Sequence, residues 1–234
     1  MPGIIKPGDE VLLPEKKTNH VSRRKFLGYT GAAAVVAAGI AACHKDDNNN
    51  NNTSGIDLGS GDTGVLNYAY ALEQLEAAFY IKVLTSPYSG GSALEMALMA
   101  DIRDHEIAHR EFFKNALGAN AIQALTPDFS SIDFSNRTAV LAAAKAFEDT
   151  GVSAYNGAGK LLTNPAYLTL AGKIVSVEAR HAAWIRDAIS NGTFADNTVV
   201  DAQGLDVAAT PAQVLVIANT YLSTKISGNN LPTS

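Results

Sequence analysis

Two short motifs, each present twice and in the same order, constrain this chain more than any other feature. Glu73 is followed seven residues later by Tyr80, and Glu106 three residues later by His109; the pattern returns with Glu148 and Tyr155, then Glu178 and His181. The glutamates of the first set stand 33 residues apart and those of the second 30. Every motif lies in a stretch whose apolar residues recur at steps of three and four, the period of one helix face. The first stripe is Leu66, Ala69, Glu73, Glu76 or Ala77, and Tyr80; the second is Met99, Ile102, Glu106, His109 and Phe113. The third is Leu141, Ala144, Glu148, Val152 and Tyr155; the fourth is Ile174, Glu178, His181 and Ile185. Chance easily places one Glu-x2-His on a helix. Two of them, each after a Glu-x6-Tyr helix, indicate a duplicated helical hairpin.

Turn signals set the boundaries. Helix one is predicted from Thr63 to about Leu84, capped by Asp62 or Thr63, and helix two from Ser92 to about Leu117. Residues 118–136, with Pro127, form a long crossover containing a short helix around Ala121. Helix three runs from Thr138 to about Leu162 and helix four from Ala166 to about Ser190, after the break at Asn164-Pro165. The domain is thus 63–191. An extension at 192–234 holds a fifth helix, Ala212 to Leu222, that covers the bundle or forms a dimer contact. Short loop, long crossover, short loop is the connectivity of an all-α, ferritin-like four-helix bundle with a short C-terminal helix.

A carboxylate on a core stripe is destabilising unless it is paired or ligates a metal. Four at matching depth cannot all stay ionised in an apolar core, and one or two dications supply the missing charge. Glu and His at i and i+3 share a helix face and reach the same ion. One glutamate from each odd helix and one Glu-x2-His from each even helix give four carboxylates and two imidazoles, the donor set of carboxylate-bridged two-metal bundles. Their formal charge balances two divalent ions, and oxygen-rich ligands with imidazole suit iron or manganese. The single cysteine, Cys43, excludes a disulfide framework and a multi-cysteine zinc site.

The core from about Leu66 to Ile189 resembles the ferritin-like superfamily, and within it the exported ferritin-like-domain group related to plant desiccation-associated proteins. The resemblance is carried by Leu66 to Tyr80, by Phe147 to Tyr155 and by Val177 to Ala183, and covers about half of the chain. It implies that Glu106 and Glu178 bridge two metals, that Glu73 and Glu148 are terminal ligands, and that His109 and His181 bind one ion each. Tyr80 and Tyr155, roughly 10 Å along their helices from Glu73 and Glu148, then hydrogen-bond to ligands, donate electrons or pack in the core. Glu76 shares the stripe with Glu73 and stays an alternative ligand, though the spacing shared with helix three favours Glu73. His105 stands one step off the stripe, solvated or behind the ligands. Asp149 is expected to face out. Asp104 and Arg180 either orient the ligating histidines or pair at the surface, and Trp184 packs.

Ahead of the bundle the composition changes. Residues 1–42 carry a net charge of +3 and the remainder −8, for −5 overall, which excludes a basic nucleic-acid binder. Ser22-Arg23-Arg24-Lys25-Phe26-Leu27 precedes an apolar run through Ala42, mostly alanine and glycine and marginal as a spanning helix. The layout resembles a cleavable export signal of the twin-arginine type, here with Gly28 after the leucine and a long preceding stretch. Ile40-Ala41-Ala42-Cys43 resembles a lipobox, with Cys43 as the lipidated first residue of the mature protein; His44 to Asp47 loosely resembles an outer-surface sorting signal. Residues 43–62, including Asn48 to Asn52, read as a disordered tether. The expected location is the periplasm or the outer membrane or cell surface, lipid-anchored, as a monomer or dimer rather than a storage cage.

These readings converge on an exported protein with a two-metal iron or manganese centre that oxidises iron(II) with O2 or peroxide, or detoxifies oxidants. The alternative is a non-catalytic stress-related or structural module of the cell envelope; a third reading is a catalase-like di-manganese site.

Overall fold

The four stripes build four long helices in a computed structural model that describes residues 55–233. The export segment at 1–42, Cys43 and the asparagine run lie outside the described residues. A two-residue strand β1 (Ile56–Asp57) leads into α1 (Gly61–Thr85), followed by α2 (Ala93–Leu117), α3 (Arg137–Ala158) and α4 (Pro165–Ile189). After the fourth helix come α5 (Pro211–Ala218) and β2 (Ile226–Ser227). The architecture is an all-α four-helix bundle with a long crossover between α2 and α3 and a short C-terminal helix. No described helix is long and apolar enough to cross a membrane.

Local chemistry explains most of the helix starts. The side chain of Ser92 accepts from the Glu95 amide at the head of α2, and Asn136 accepts from the Thr138 and Ala139 amides at the head of α3. Asn164 caps α4, where Pro165 occupies the first turn, and Thr210 and Gln213 form a reciprocal capping box on α5. Helix α1 departs from the expectation. Its cap is Ser60, with no side-chain hydrogen bond. Asp62 instead accepts from the Thr163 amide at 2.7 Å and the Asn164 amide at 2.9 Å, tying the start of α1 to the α3–α4 turn. Residues 55–62, expected as the end of a disordered tether, are also ordered: Ile56 pairs in parallel with Ile226, and Asp57 with Ser227.

Two further boundaries differ. Helix α3 gives way at Gly159 to a 3-10 turn, Gly159–Leu161, and α5 ends at Ala218 in another, Asn219–Tyr221. The short helix expected around Ala121 is a 3-10 turn at Gly118–Asn120.

The hairpins α1–α2 and α3–α4 pack internally, then against each other. Helix α1 is buried on nearly every side, not on one stripe alone; Gly64 to Ala77 are all buried. The crossover and the C-terminal extension cover its outer faces. Asn67 donates to the carbonyls of Leu58 (3.1 Å) and Asn120 (3.0 Å) and accepts from the Ile122 amide (2.9 Å). Gln74 accepts from the Leu125 amide at 2.8 Å. The extension crosses α3 at Gly157, where a Cβ would run into the Ala209 carbonyl, and the Ala209 amide donates to Ser153 O at 2.9 Å.

Candidate metal centre

Two apolar clusters bracket the middle of the bundle. At one end Phe79, Phe129, Phe134, Phe147 and Tyr221 form an aromatic group, with Phe147 and Tyr221 centroids 4.7 Å apart. At the other, Leu66, Tyr70, Phe113, Leu117, Tyr155 and Ile174 pack together. Between them the interrupted stripes bring their polar residues together. Glu73, Glu106, Glu148 and Glu178 are all 0% exposed and His181 is 4% exposed; the His109 side chain is 13% exposed.

These six side chains form two overlapping groups. Glu73, Glu106, His109 and Glu178 each present a ligand atom within 4.8 Å of the others, as do Glu106, Glu148, Glu178 and His181. Glu106 and Glu178 belong to both. His109 Nδ1 lies 2.7 Å from Glu178 Oε1 and 3.5 Å from Glu73 Oε2. His181 Nδ1 lies 2.9 Å from Glu106 Oε1 and 3.4 Å from Glu148 Oε2.

The hydrogen-bond inventory separates two kinds of carboxylate. Glu73 and Glu148 each have one oxygen satisfied by a tyrosine hydroxyl: Tyr155 donates to Glu73 and Tyr80 donates to Glu148. Each tyrosine therefore serves the glutamate of the other half, not the one seven residues before it. The pairings 73 with 155 and 80 with 148 follow because α1 and α3 run antiparallel, so that a tyrosine two turns past one glutamate lies level with the other. Burial pushes both hydroxyls well above the usual tyrosine range, so they stay protonated and donate. The remaining oxygens, Glu73 Oε2 and Glu148 Oε2, have no partner, and neither do both oxygens of Glu106, both of Glu178, and Nδ1 of each histidine. The histidine nitrogens are close to carboxylate oxygens but off the line along which a ring N–H donates.

Eight buried donor atoms are thus left facing one another. A buried polar group without a partner is costly, and this set fits a pair of cations. Glu73 and Glu148 offer one oxygen each, Glu106 and Glu178 offer two, and each imidazole offers one nitrogen.

Electrostatics agree. Burial pushes Glu73 upward, and Glu106 well above the usual carboxylate range, with Glu178 adding to both. Burial lifts Glu148 to about 7, against the pull of His181. Burial also acts upward on Glu178, but the two flanking histidines outweigh it and hold the group at about 2. For His181 burial acts downward and is overcome by Glu106, Glu148 and Glu178, raising it to about 12; His109 is raised in the same way by Glu106, Glu178 and Glu73. Protons on the two imidazoles supply the counter-charge that cations would supply.

Glu76 is buried but belongs to neither group. Burial and four neighbouring carboxylates drive it well above the usual range, which favours its neutral form. It faces Gly151, where a Cβ would stand 2.9 Å from Glu76 Oε1. Gly151 follows Glu148 by three residues, as Glu76 follows Glu73; the repeat leaves out one side chain where it places the other.

Asp149 does not face out as expected. It accepts a bidentate bond from Arg186 at 2.7 and 2.8 Å. Neither Asp104 nor Arg180 reaches a histidine: Asp104 pairs with Arg103 at 2.8 Å, and Arg180 donates to Ser176 O. Trp184 packs against the main core. His105, exposed on its outer side, meets His181, with Nδ1 of the first 3.0 Å from Nε2 of the second. Its position beside Glu106 carried no signal for that contact, which depends on how α4 lies against α2.

Residues 61–191, more than half of the chain, match the family model described as a ferritin-like domain. No curated protein matches the chain. The matched span runs from the first residue of α1 to just past the end of α4, so it contains both hairpins and all six converging side chains. The chain belongs to the ferritin-like domain family.

Proposed function

We propose that this chain is an exported, lipid-anchored ferritin-like protein holding two iron or manganese ions, and that it oxidises iron(II) with O2 or peroxide or removes such oxidants. One observation carries the reading: eight unpartnered, buried donor atoms in two overlapping groups that share Glu106 and Glu178. In this reading Glu106 and Glu178, which belong to both groups, would serve both ions, Glu73 and His109 would help hold one, and Glu148 and His181 would help hold the other. Iron or manganese bound there supplies two adjacent redox centres able to pass electrons to O2 or peroxide.

The residues of the chain hold and insulate that chemistry. Tyr155 and Tyr80 fix the rotation of Glu73 and Glu148 by occupying one oxygen of each, which leaves the other aimed inward. They are also the nearest oxidisable aromatic side chains bonded to the ligands. The two apolar clusters keep bulk water from both ends and lower the local dielectric. Export and anchoring are supported by Arg23-Arg24, the apolar run and Cys43. The likeness of Leu66 to Tyr80 to the desiccation-associated group supports a stress setting in the cell envelope.

The test is elemental analysis of protein produced with iron and manganese supplied, followed by oxygen consumption on adding iron(II). About two ions per chain with oxygen uptake is the expected result. Two ions without turnover redirects the reading to a binding module. A folded protein that refuses iron(II) and manganese(II) overturns it.

A further inference from the structure

The duplicated site is not symmetric beyond its ligands. His181 is 4% exposed, and its Nε2 lies 3.0 Å from His105 Nδ1. The rings are nearly coplanar, 8° apart, with centroids at 5.2 Å, so the bond lies in the plane of both imidazoles. His109 has no such arrangement: no described residue hydrogen-bonds its Nε2, and its side chain is 13% exposed to water. Sequence supplies the reason. His105 immediately precedes Glu106 on α2, whereas Val177 immediately precedes Glu178 on α4.

Only one hydrogen-bond direction is compatible with a cation at His181. Nδ1 faces the carboxylates and must offer its lone pair, so the ring proton sits on Nε2 and must be donated outward. An imidazole buried this deeply cannot give that proton to bulk water. Among the described residues, His105 Nδ1 is the acceptor within reach.

Resting on the two-metal reading above, we propose that His105 is a positioning residue for His181. By accepting the Nε2 proton it locks the ring of His181 with Nδ1 toward Glu106, Glu148 and Glu178, and so makes the His181 position bind its ion more tightly than it otherwise would. The His109 position depends on water for the same service. The two ions therefore load into unequal places in a duplicated site. Loss of such an outer partner characteristically weakens metal affinity by 10- to 100-fold.

The experiment titrates metal-free wild-type protein, His105→Leu and His105→Gln with zinc(II), a diamagnetic probe of the same charge, and with iron(II) under anaerobic conditions. Because His105 is exposed on its outer side, neither substitution enters the core; circular dichroism confirms equal helix content. Two binding steps are expected for wild type. In His105→Leu one step weakens by about 10- to 100-fold while the other is unchanged. In His105→Gln, whose side-chain carbonyl can accept the same proton, the step recovers. Nitrogen-15 spectra of the zinc-loaded wild type should show coupling across the hydrogen bond between His181 Nε2 and His105 Nδ1, absent from the leucine variant. Unchanged affinities in His105→Leu, equal weakening of both steps, or no coupling in wild type overturns the positioning role and leaves the two-metal reading standing. Wild-type protein that binds neither probe overturns both.

Discussion

Glu106 and Glu178 are fully buried with neither carboxylate oxygen satisfied, and this sets a test that separates a metal site from a polar core. In the metal-free fold Glu106 faces His181 at 2.9 Å and is the first of the carboxylates that raise both histidines, and removing one partner of a buried ionic group costs about 3–5 kcal/mol. Glu106→Leu should therefore abolish metal loading and lower the melting temperature of the chelated protein. A carboxylate serving only a polar core would lower the melting temperature but leave metal uptake intact, and retained metal in the variant would refute the bridging role. The tyrosines predict a smaller effect of the same sign. Tyr155→Phe removes the donor from Glu73 and leaves a buried oxygen without a partner, costing about 1–3 kcal/mol in the metal-free protein. The same change should weaken metal binding by about 10-fold, read by competition with a chromophoric chelator. Tyr80→Phe should do the same through Glu148.

Elements explain what side chains alone do not. The extension from Asn191 onward is held by specific joints, not by a continuous apolar face. Arg186, 4% exposed, bonds Asp149 in α3 and reaches Thr198 at 3.0 Å. Farther on, Asn156 donates to Val207 O at 3.0 Å, and the backbone crosses at Gly157. A methyl group at Gly157 meets the Ala209 carbonyl, backbone that cannot step aside cheaply. Gly157→Ala should thus cost about 1–3 kcal/mol by overpacking, despite alanine's better helix propensity, and open residues 193–210 to limited proteolysis. A stabilised, protease-resistant variant would show that the crossing is not tight. The same elements mark how far the sequence could be read. The six converging residues were legible because a carboxylate on an apolar stripe has few physical excuses, and because the motifs repeat. The long crossover was legible from its length and Pro127. The tyrosine pairings were not, because the seven-residue spacing describes one helix and the bond is made to its antiparallel neighbour. Nor was the burial of α1 on nearly all sides: Asn67 and Gln74 look like solvent-facing residues until the crossover backbone supplies their partners. His105 and the Asp149–Arg186 pair likewise depend on how α4 lies against α2 and α3.

The whole molecule answers to pH through the same cluster, and the direction can be worked out group by group. Burial raises Glu148 from 4.5 to about 7 and moves Glu73, Glu76 and Glu106 upward too. Above pH 4.5 the unfolded chain releases these protons while the metal-free fold keeps them, so stability falls as pH rises through that window. His181 is raised from 6.5 to about 12 and His109 is raised as well. Their contribution is complete below 6.5 and is lost as pH climbs toward the folded values, again a decline. Glu178, held at about 2, works in the opposite sense, stabilising above 4.5 and failing as pH drops through about 2. The chelated protein should therefore be most stable near pH 5, with a melting temperature that falls steadily to pH 8. Cations replace the retained protons, so loading at pH 7 should release about two protons or more per chain, from the two imidazoles and the raised carboxylates. Calorimetric titration with manganese(II) in two buffers of different ionisation enthalpy counts them. The loaded protein should gain most over the chelated one at pH 8, where the metal-free cluster is least content with its protons. A chelated melting temperature that rises from pH 5 to 8, or metal uptake without proton release, would mean that the imidazoles do not act as the counter-charge of this site. In that case the four carboxylates would need another source of neutralisation, and none of the described lysines or arginines reaches them.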